Sequence, residues 1–178
     1  MSTRETPRRL PPDHSGHDAA RFRDAAGRFA TGVTVVSTLA DGVPHAMTVN
    51  SFMSVSIDPV LVLVSLRNEA WTGRQIRRSG VFAVTVLGAD QEALARWFAH
   101  PQRPAGAKAF ADVDWRPAPV TGAPILPDGI GYFDCKVHAM HAAGDHALVV
   151  GAVAAFDVLS DRPPLLFVRS RIGALPQR

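Results

Sequence analysis

Ten residues near the end of the first third of the chain, 47–56, hold its densest group of side chains able to bind a ligand. Five of the ten carry a hydroxyl or an amide that can donate a hydrogen bond: Thr48, Asn50, Ser51, Ser54 and Ser56. Donors that become buried need hydrogen-bond partners, and a polar heterocyclic ligand is one such partner. An ordinary loop is the alternative, in which the hydroxyls bond to nearby backbone and to water. The residue types alone leave both interpretations open.

Predicted strands on both sides must position this segment. Before it, residues 33–38 are rich in β-branched residues, Asp41-Gly42 is a typical hairpin turn, and residues 45–49 form the returning strand. After it, residues 60–66 form a continuous apolar run, which is typical of a strand buried on both faces. The polar segment therefore lies between two buried strands.

The remaining pattern predicts a mainly β fold with peripheral helices. Helices are predicted over residues 18–29, with an apolar stripe of Phe22, Ala25, Ala26 and Phe29, over 70–79, and over 90–98, with Asp90 as the N-cap. Further strands are predicted over 81–87, 131–141, 146–159 and 165–169, and a long loop over 100–127 with one short strand near Trp115. Helices do not alternate regularly with strands, which favours an antiparallel Greek-key barrel over a doubly wound parallel sheet.

Length and composition fit one domain with a tail. The 178 residues carry a formal net charge of +3 and one cysteine. Residues 1–17 are polar and rich in arginine and proline, so we expect a flexible N-terminal arm before a folded domain over residues 18–178. We expect no membrane span, no secretory leader and no nucleic-acid binding, because neither long apolar runs nor a basic helix with interleaved aromatics is present. A cytoplasmic location is the resulting expectation.

Several familiar catalytic patterns are missing from the sequence. No G-x-G-x-x-G loop follows a predicted strand, and neither a Walker phosphate loop nor a G-x-S-x-G elbow is present. His138 and His141 are three residues apart on a predicted strand, which places them on opposite faces, so we expect no metal site. Cys135 shares a strand face with Phe133 and Val137, which favours a buried small hydrophobe over a reactive thiol.

A set of short motifs follows in a specific order between residues 22 and 171. The segments are 22–25, 27–36, 47–52, 54–56, Asp58-Pro59, 82–87, 110–115, and Gly144-Asp145-His146 with Gly151. Together they resemble the flavin reductase-like, FMN-binding split-barrel family. The resemblance implies an antiparallel Greek-key split β-barrel of the FMN-binding type. It also implies an activity like that of the reductase components of two-component flavin monooxygenases.

The resemblance further implies which residues bind the cofactors. The flavin ring would be lined, partly through backbone N–H groups, by Thr48, Val49, Asn50 and Ser51. The ribityl chain and phosphate would be bound by Ser54, Ser65, Leu66 and Arg67, with Thr72 at the phosphate and Arg74 or Arg67 adding charge-assisted contacts. The nicotinamide would lie near His146, and Phe110 would cover the flavin or help to receive the nicotinamide.

Some of these roles have independent support, and others have plain alternatives. A helix N-terminus offers free N–H groups and a positive dipole to an anion, which supports Thr72. The alternative for His146 is a backbone-bonded histidine beside a turn, and the alternative for Arg74 is a solvated helix face. The sequence departs from the usual family pattern at Thr85, at Ala70-Trp71-Thr72 and at residues 169–172. These departures leave the fold untouched but put nucleotide preference and flavin affinity in question.

The activity that the resemblance implies is that of an NAD(P)H:flavin oxidoreductase. FMN or FAD would accept a hydride from NADH or NADPH, and the reduced flavin would diffuse to a partner monooxygenase. The cofactors carry this chemistry, so no catalytic acid or base is required. The alternatives are a same-fold reductase of another acceptor, such as a corrinoid or a metal, and a non-catalytic flavin-binding carrier or sensor. A homodimer is expected, whereas the choice of flavin, nicotinamide and oxygenase is left open.

Overall fold

Twelve β-strands and three α-helices make up the part of the chain that the computed structural model describes, residues 18–173. The helices are α1 (Ala19–Ala26), α2 (Trp71–Ser79) and α3 (Glu92–Ala99), and a short 3-10 helix spans Gly106–Phe110. The strands are β1 (Thr31–Gly32), β2 (Thr34–Ala40), β3 (Val43–Val49), β4 (Met53–Ile57), β5 (Val60–Arg67), β6 (Val81–Val86), β7 (Arg116–Pro117), β8 (Pro124–Ile125), β9 (Gly131–Ala143), β10 (His146–Val158), β11 (Leu166–Val168) and β12 (Arg171–Gly173). The predicted arm over residues 1–17 lies outside the described residues.

Seven strands form one antiparallel sheet in the order β3-β2-β6-β9-β10-β5-β4. Two of its hairpins turn where the sequence predicts. Asp41 and Gly42 have φ of 50° and 75° between β2 and β3, and Gly144 has φ of 62° between β9 and β10. The prediction of a mainly β, antiparallel fold with peripheral helices is confirmed.

The core behind β5 is tightly packed around Phe82. Cys135 of β9 is fully buried in the same cluster, and burial, with the nearby Asp134 charge, raises the pKa of its thiol to about 12. The prediction that Cys135 is a buried small side chain is therefore confirmed. Gly151 of β10 leaves room for the aromatic ring, because a Cβ at this position would come within 2.4 Å of Phe82 Cζ.

Strand β5 is buried on one face only, so the prediction of a strand buried on both faces is wrong. Val62, Val64 and Leu66 are buried, whereas the side chains between them are partly exposed. Its hairpin partner β4 starts at Met53 and presents Ile57, which is 90% exposed. The second half of the polar segment is thus an edge strand and not a loop.

Helix α1 contacts no core, although its apolar stripe predicted burial. Asp18 caps the helix by accepting hydrogen bonds from the backbone N–H groups of Ala20 and Arg21 at 3.0 and 3.2 Å. The helix ends at Ala26, three residues earlier than predicted, and none of its residues is buried. Phe22 is 74% exposed.

Asp90 does not cap α3, which corrects the sequence-based prediction. Its carboxylate forms an ion pair with Arg162 at 2.5 Å, and the N-cap of α3 is Gln91. The Gln91 side chain accepts a hydrogen bond from the Gly88 N–H at 2.8 Å. A distant arginine thus takes the aspartate, and the helix starts one residue later.

A buried carboxylate holds the long segment between α3 and β9. Asp134 is fully buried and accepts hydrogen bonds from the N–H groups of Val120 and Thr121 at 2.9 and 3.1 Å, and from the Thr121 hydroxyl. The short strand predicted near Trp115 is the two-residue β7. In residues 18–173, no helix has both the length and the apolar character needed to cross a membrane.

Candidate functional site

A cleft of about 240 Å³ opens between the C-terminal end of β3 and the C-terminal half of β5. We call it the β3–β5 cleft. It is lined by Met47, Thr48, Val49, Asn50, Ser51, Ser65, Leu66, Arg67 and His146. Eight of the twelve residues that the sequence predicts for cofactor binding therefore meet in one place.

Ser51 shapes this cleft by bonding to the edge of β5. Its Oγ donates a hydrogen bond to the Ser65 carbonyl oxygen at 2.8 Å and accepts one from the Ser65 N–H at 3.0 Å. Thr48 acts similarly, because its Oγ1 donates to the carbonyl oxygen of Ala95 in α3 at 2.6 Å. These hydroxyls are already used within the protein, so a ligand meets mainly the backbone of the segment.

The cleft exists because β4 covers only part of β5. The first residue of β4, Met53, lies opposite Leu63, and within residues 18–173 no strand continues this pairing toward Arg67. Alternate residues of a strand direct their N–H groups to the same side. The Arg67 N–H therefore points to the same uncovered side as the Ser65 N–H, where it can donate to a ligand.

His146 stands at the start of β10, opposite Arg67 in the strand register. Its Nδ1 lies 2.7 Å from a carboxylate oxygen of Asp145, and this hydrogen bond, with the nearby charges of His146 and Arg67, lowers the pKa of Asp145. The His146 side chain is 35% exposed. With Nδ1 engaged, Nε2 is the nitrogen available to a ligand in the cleft.

Thr72 and Arg74 lie outside the β3–β5 cleft, in the first turns of α2. The N-cap Ala70 makes no side-chain cap, so the first N–H groups of this helix remain available to an anion. Arg74 donates a hydrogen bond to the Glu69 carbonyl oxygen at 3.0 Å, and its guanidinium carbon lies 5.3 Å from the centre of the Trp71 ring.

The structure does not bring Ser54 and Phe110 to the β3–β5 cleft. Ser54 is an exposed residue of β4, opposite Val62. Phe110 is 5% exposed, and its ring packs 5.3 Å from that of Phe98 and 5.9 Å from that of Trp115. Phe110 thus belongs to the core in this structure. The flavin-related roles of both residues stay predictions.

A second cleft, of about 160 Å³, lies beside the first along β3, and we call it the His45 cleft. It is lined by His45, Ala46, Trp71, Thr72, Pro101, Arg103, Pro104, Ala105, Gly106 and Ala109. Of these, only Thr72 is a predicted cofactor-binding residue. A histidine within a predicted strand, two residues before the polar segment, was a usable signal for this cleft. Arg103 gave no signal, because it lies in a segment without periodicity.

Hydrogen bonds to the loop after α3 close one side of the His45 cleft. The Arg103 guanidinium donates to the carbonyl oxygen of Ala46 at 2.5 Å and to that of His100 at 3.1 Å, and burial lowers its pKa. His45 is 9% exposed, and burial lowers the pKa of its imidazole. Its ring meets the Trp71 ring at an angle of 67°, with 6.3 Å between the ring centres.

Comparison with known proteins shows which family this chain resembles. Residues 26–176 match the family model described as the flavin reductase like domain. The chain is 35% identical over 156 residues to HsaB, the reductase subunit of a flavin-dependent monooxygenase from Rhodococcus jostii (strain RHA1), a match covering 86% of this chain and 76% of that protein. It is 38% identical over 154 residues to an NADH-dependent FAD reductase from Streptomyces globisporus, covering 86% of this chain and 84% of that protein.

A solved structure shows the same fold. BorF, the flavin reductase component of a bacterial two-component tryptophan halogenase, superposes with a TM-score of 0.85 at 37% sequence identity. The match covers 90% of this chain and 100% of that one.

Proposed function

The chain belongs to the flavin reductase-like family, and we propose on this premise that it is an NAD(P)H-dependent flavin reductase. It reduces FMN or FAD by hydride transfer from NADH or NADPH, and it supplies the reduced flavin by diffusion to a partner monooxygenase. The observation that carries this proposal is the β3–β5 cleft, which gathers eight of the predicted cofactor residues. The activities named for two relatives, a monooxygenase reductase subunit and an NADH-dependent FAD reductase, support it.

Backbone groups of the β3–β5 cleft bind the flavin ring in this proposal. The segment 48–51 and the uncovered edge of β5 at Ser65 and Arg67 supply N–H groups suited to polar atoms of the ring. The hydroxyls of Thr48 and Ser51 keep these two walls in place through their bonds to Ala95 and Ser65. When bound, the flavin supplies the hydride-accepting chemistry, and the protein contributes position and orientation.

His146 orients the nicotinamide. Asp145 holds Nδ1 of its ring, which leaves Nε2 directed to a polar group of the nucleotide. The role requires no proton transfer at Nε2. Arg67, opposite His146 in the register, contributes positive charge to the same end of the cleft.

The first turn of α2 binds the flavin phosphate. Strand β5 ends at Arg67, and α2 begins four residues later. The first turn of α2 offers free N–H groups and the buried Thr72 to the phosphate. Arg74 adds positive charge from the same helix. Ser54 is kept as a proposed contact of the ribityl chain and Phe110 as a proposed neighbour of the cofactors, although neither lines the cleft.

We propose a homodimeric, cytoplasmic protein whose subunits are split barrels. Large apolar side chains are exposed together on β4 and β10: Ile57 is 90%, Phe156 63% and Val158 73% exposed. Exposed apolar patches of this kind mark interaction surfaces. Contact between β3 and β5, which are not paired neighbours in the sheet, supports its closure toward a barrel.

Flavin-dependent oxidation of the nicotinamide tests the function. NADH or NADPH oxidation is followed at the nicotinamide absorbance, with and without added FMN or FAD. We expect oxidation that depends on added flavin. Binding of flavin without oxidation of either nucleotide would refute the reductase and leave a carrier or sensor. Tight retention of flavin through purification, with little turnover of added flavin, would favour a reductase of another acceptor.

A further inference from the structure

The apolar stripe of helix α1 has no covering surface within residues 18–173. None of the eight residues of the helix is buried. Phe22 in the helix and Phe29 just after it are 74% and 77% exposed. A helix this short is marginal in water unless its apolar side packs against another surface. The helix therefore needs a partner that the described part of the chain does not supply.

Both ends of α1 are nevertheless fixed. Asp18 caps the first turn through its carboxylate. At the other end, the Arg169 N–H donates a hydrogen bond to the Gly27 carbonyl oxygen at 2.6 Å, and the Gly27 N–H donates to that of Arg23 at 2.8 Å. The helix is thus formed and attached to the body of the protein, while its apolar side remains open.

A further cavity, of about 470 Å³, lies between α3 and the segment that follows it, and it is larger than both clefts described above. We call it the α3 groove. Its walls combine apolar side chains with two charged ones: Leu94, Trp97, Ala109, Val113, Lys108 and Asp112. The Trp97 indole N–H donates to the Ala109 carbonyl oxygen at 2.9 Å, which joins the two walls. The groove is therefore preformed, and no residue of α1 lines it.

The helix and the groove match in polarity and in charge. Arg21 and Arg23 lie beside the apolar stripe of α1, and Asp112 lies in the groove. None of the three forms an ion pair within residues 18–173. Lys108 suits the carbonyl end of the helix, which is the negative end of its dipole. An amphipathic helix in an apolar groove is a recurring mode of protein recognition.

A second copy of the chain supplies the missing partner for both surfaces. Within one chain the helix is exposed and the groove contains no part of it. When two identical chains pair about a two-fold axis, each contact between different surfaces occurs twice. Such a pair would cover two apolar helices and two apolar grooves at once, and no other protein is needed.

We propose that α1 of one copy docks into the α3 groove of a second copy. The Phe22 and Phe29 side chains pack against Trp97 and the other apolar side chains of the groove, and the second copy returns the same contact. This inference rests on the homodimer of the proposed function and is independent of the reductase activity. It adds a helix-in-groove contact to the exposed apolar surface of β4 and β10.

Cross-linking between two full-length variants tests the docking. Ala25→Cys lies on α1 and Ala93→Cys on the groove wall, both at exposed positions, whereas the native Cys135 is buried. The variants are mixed after dilution, so that subunits exchange, and are treated with a short thiol-specific cross-linker. We expect covalent dimers that join position 25 of one copy to position 93 of the other, identified by mass spectrometry of the linked peptides. Ala142→Cys, exposed near the end of β9, replaces Ala93→Cys as the control and should give none.

Sedimentation over a dilution series measures the apolar contact. Phe22→Ala removes a ring that is exposed in the single chain, so the fold of each subunit should be unaffected. We expect the dissociation constant of the dimer to rise about 30-fold or more, the size of effect that defines an interface hot spot. Phe22→Leu keeps much of the apolar contact and should recover most of the loss. Thermal unfolding would confirm that each variant is folded.

The alternative occupants of the groove give different products. Links within single chains of the double variant Ala25→Cys/Ala93→Cys, with none between mixed variants, would place α1 in its own groove and overturn the proposal. Dimers linked through Ala25→Cys alone, or a dimer with no link from α1 to the groove, would overturn it as well. A chain that stays monomeric would also refute the homodimer. Links from α1 to the groove in a chain that never oxidises NADH would refute the reductase alone.

Discussion

The two clefts along β3 use polar side chains in opposite ways. In the β3–β5 cleft, the hydroxyls of Ser51 and Thr48 form hydrogen bonds with the backbone of Ser65 and Ala95. These side chains therefore hold the walls in place, and the backbone faces the ligand. In the His45 cleft, His45 and Thr72 keep their polar atoms unpaired within the described residues. A polar side chain in a cleft can thus hold the walls of the cleft together, and we call such residues its frame. It can instead face the ligand, and we call such residues its ligand surface. The hydrogen-bond partners of the side chain distinguish the two.

The largest loss of stability behind the β3–β5 cleft is expected on substitution of Gly151, which pairs with Val62 of β5. An added Cβ would lie 2.4 Å from Cζ of Phe82 and 3.0 Å from Cβ of Cys135. We expect Gly151→Ala to lower the free energy of unfolding by about 1–3 kcal/mol, measured by urea denaturation. Gly32→Ala is the control, because no atom lies within 4 Å of a Cβ built there. Equal free energies of unfolding for the two variants would show that the Phe82 ring moves to accommodate the added Cβ at little cost.

Ser51→Ala separates frame from ligand surface directly. The substitution removes both bonds to β5 and leaves the Ser65 N–H without its partner, so we expect about 1–2 kcal/mol less stability together with weaker flavin binding. Asn50→Ala, at the exposed neighbouring residue, should leave stability unchanged. Urea denaturation and flavin titration would measure both variants. If Ser51→Ala weakened flavin binding without lowering the free energy of unfolding, Ser51 would belong to the ligand surface instead.

The unpaired imidazole of the His45 cleft should make stability depend on pH. Burial lowers the pKa of His45 in the folded chain below its ordinary value of 6.5. The unfolded chain therefore binds more protons as the pH falls through about 6.5, so the folded state loses stability from neutral pH toward pH 5. We expect His45→Gln to reduce this loss in urea denaturation at pH 7.5 and 5. A pH dependence identical to that of the parent chain would assign the effect to other groups.

The smallest effect is expected at the Asp145–His146 pair beside the β3–β5 cleft. The hydrogen bond from His146 lowers the pKa of Asp145, so the pair contributes stability above the ordinary value of 3.8 and loses it as the pH falls through the lowered pKa. Asp145 is exposed, which keeps the contribution small. Asp145→Asn should therefore reduce the difference in stability between pH 6 and pH 3. An undiminished difference would mean that solvent already screens the pair.

Local chemistry was sufficient to predict the turns, because Asp41-Gly42 and Gly144 have the positive φ values that hairpin turns need. The residue types of the polar segment 48–51 left a site and an ordinary loop both open, and the family resemblance favoured the site. The segment lines the β3–β5 cleft, and its binding of flavin stays a prediction. The apolar run of β5 was harder, because a run without periodicity does not distinguish one buried face from two. Burial of that strand depends on which neighbours the fold supplies, and local sequence does not contain them.

Contacts between distant segments account for the features that the sequence did not predict. Asp90 has the residue type of an N-cap, but its partner is Arg162, 72 positions further along the chain. Arg103 completes the His45 cleft by bonding to Ala46, 57 positions earlier. Sequence spacing does not predict such pairs, because the residues meet only when the chain is folded. The exposed stripe of α1 shows the converse, because its amphipathic pattern is real while its described surroundings leave it uncovered.

The fully buried Cys135 has a consequence for how this protein tolerates its own chemistry. Free reduced flavin reacts with oxygen to give hydrogen peroxide, which oxidises thiolates. The chain has a single cysteine, and a buried thiol with a pKa of about 12 offers almost no thiolate to attack. The protein is thereby resistant to peroxide damage at its cysteine. The same property makes Arg96→Cys, at an exposed residue of α3, a single maleimide-labelling position for measuring distances to an oxygenase.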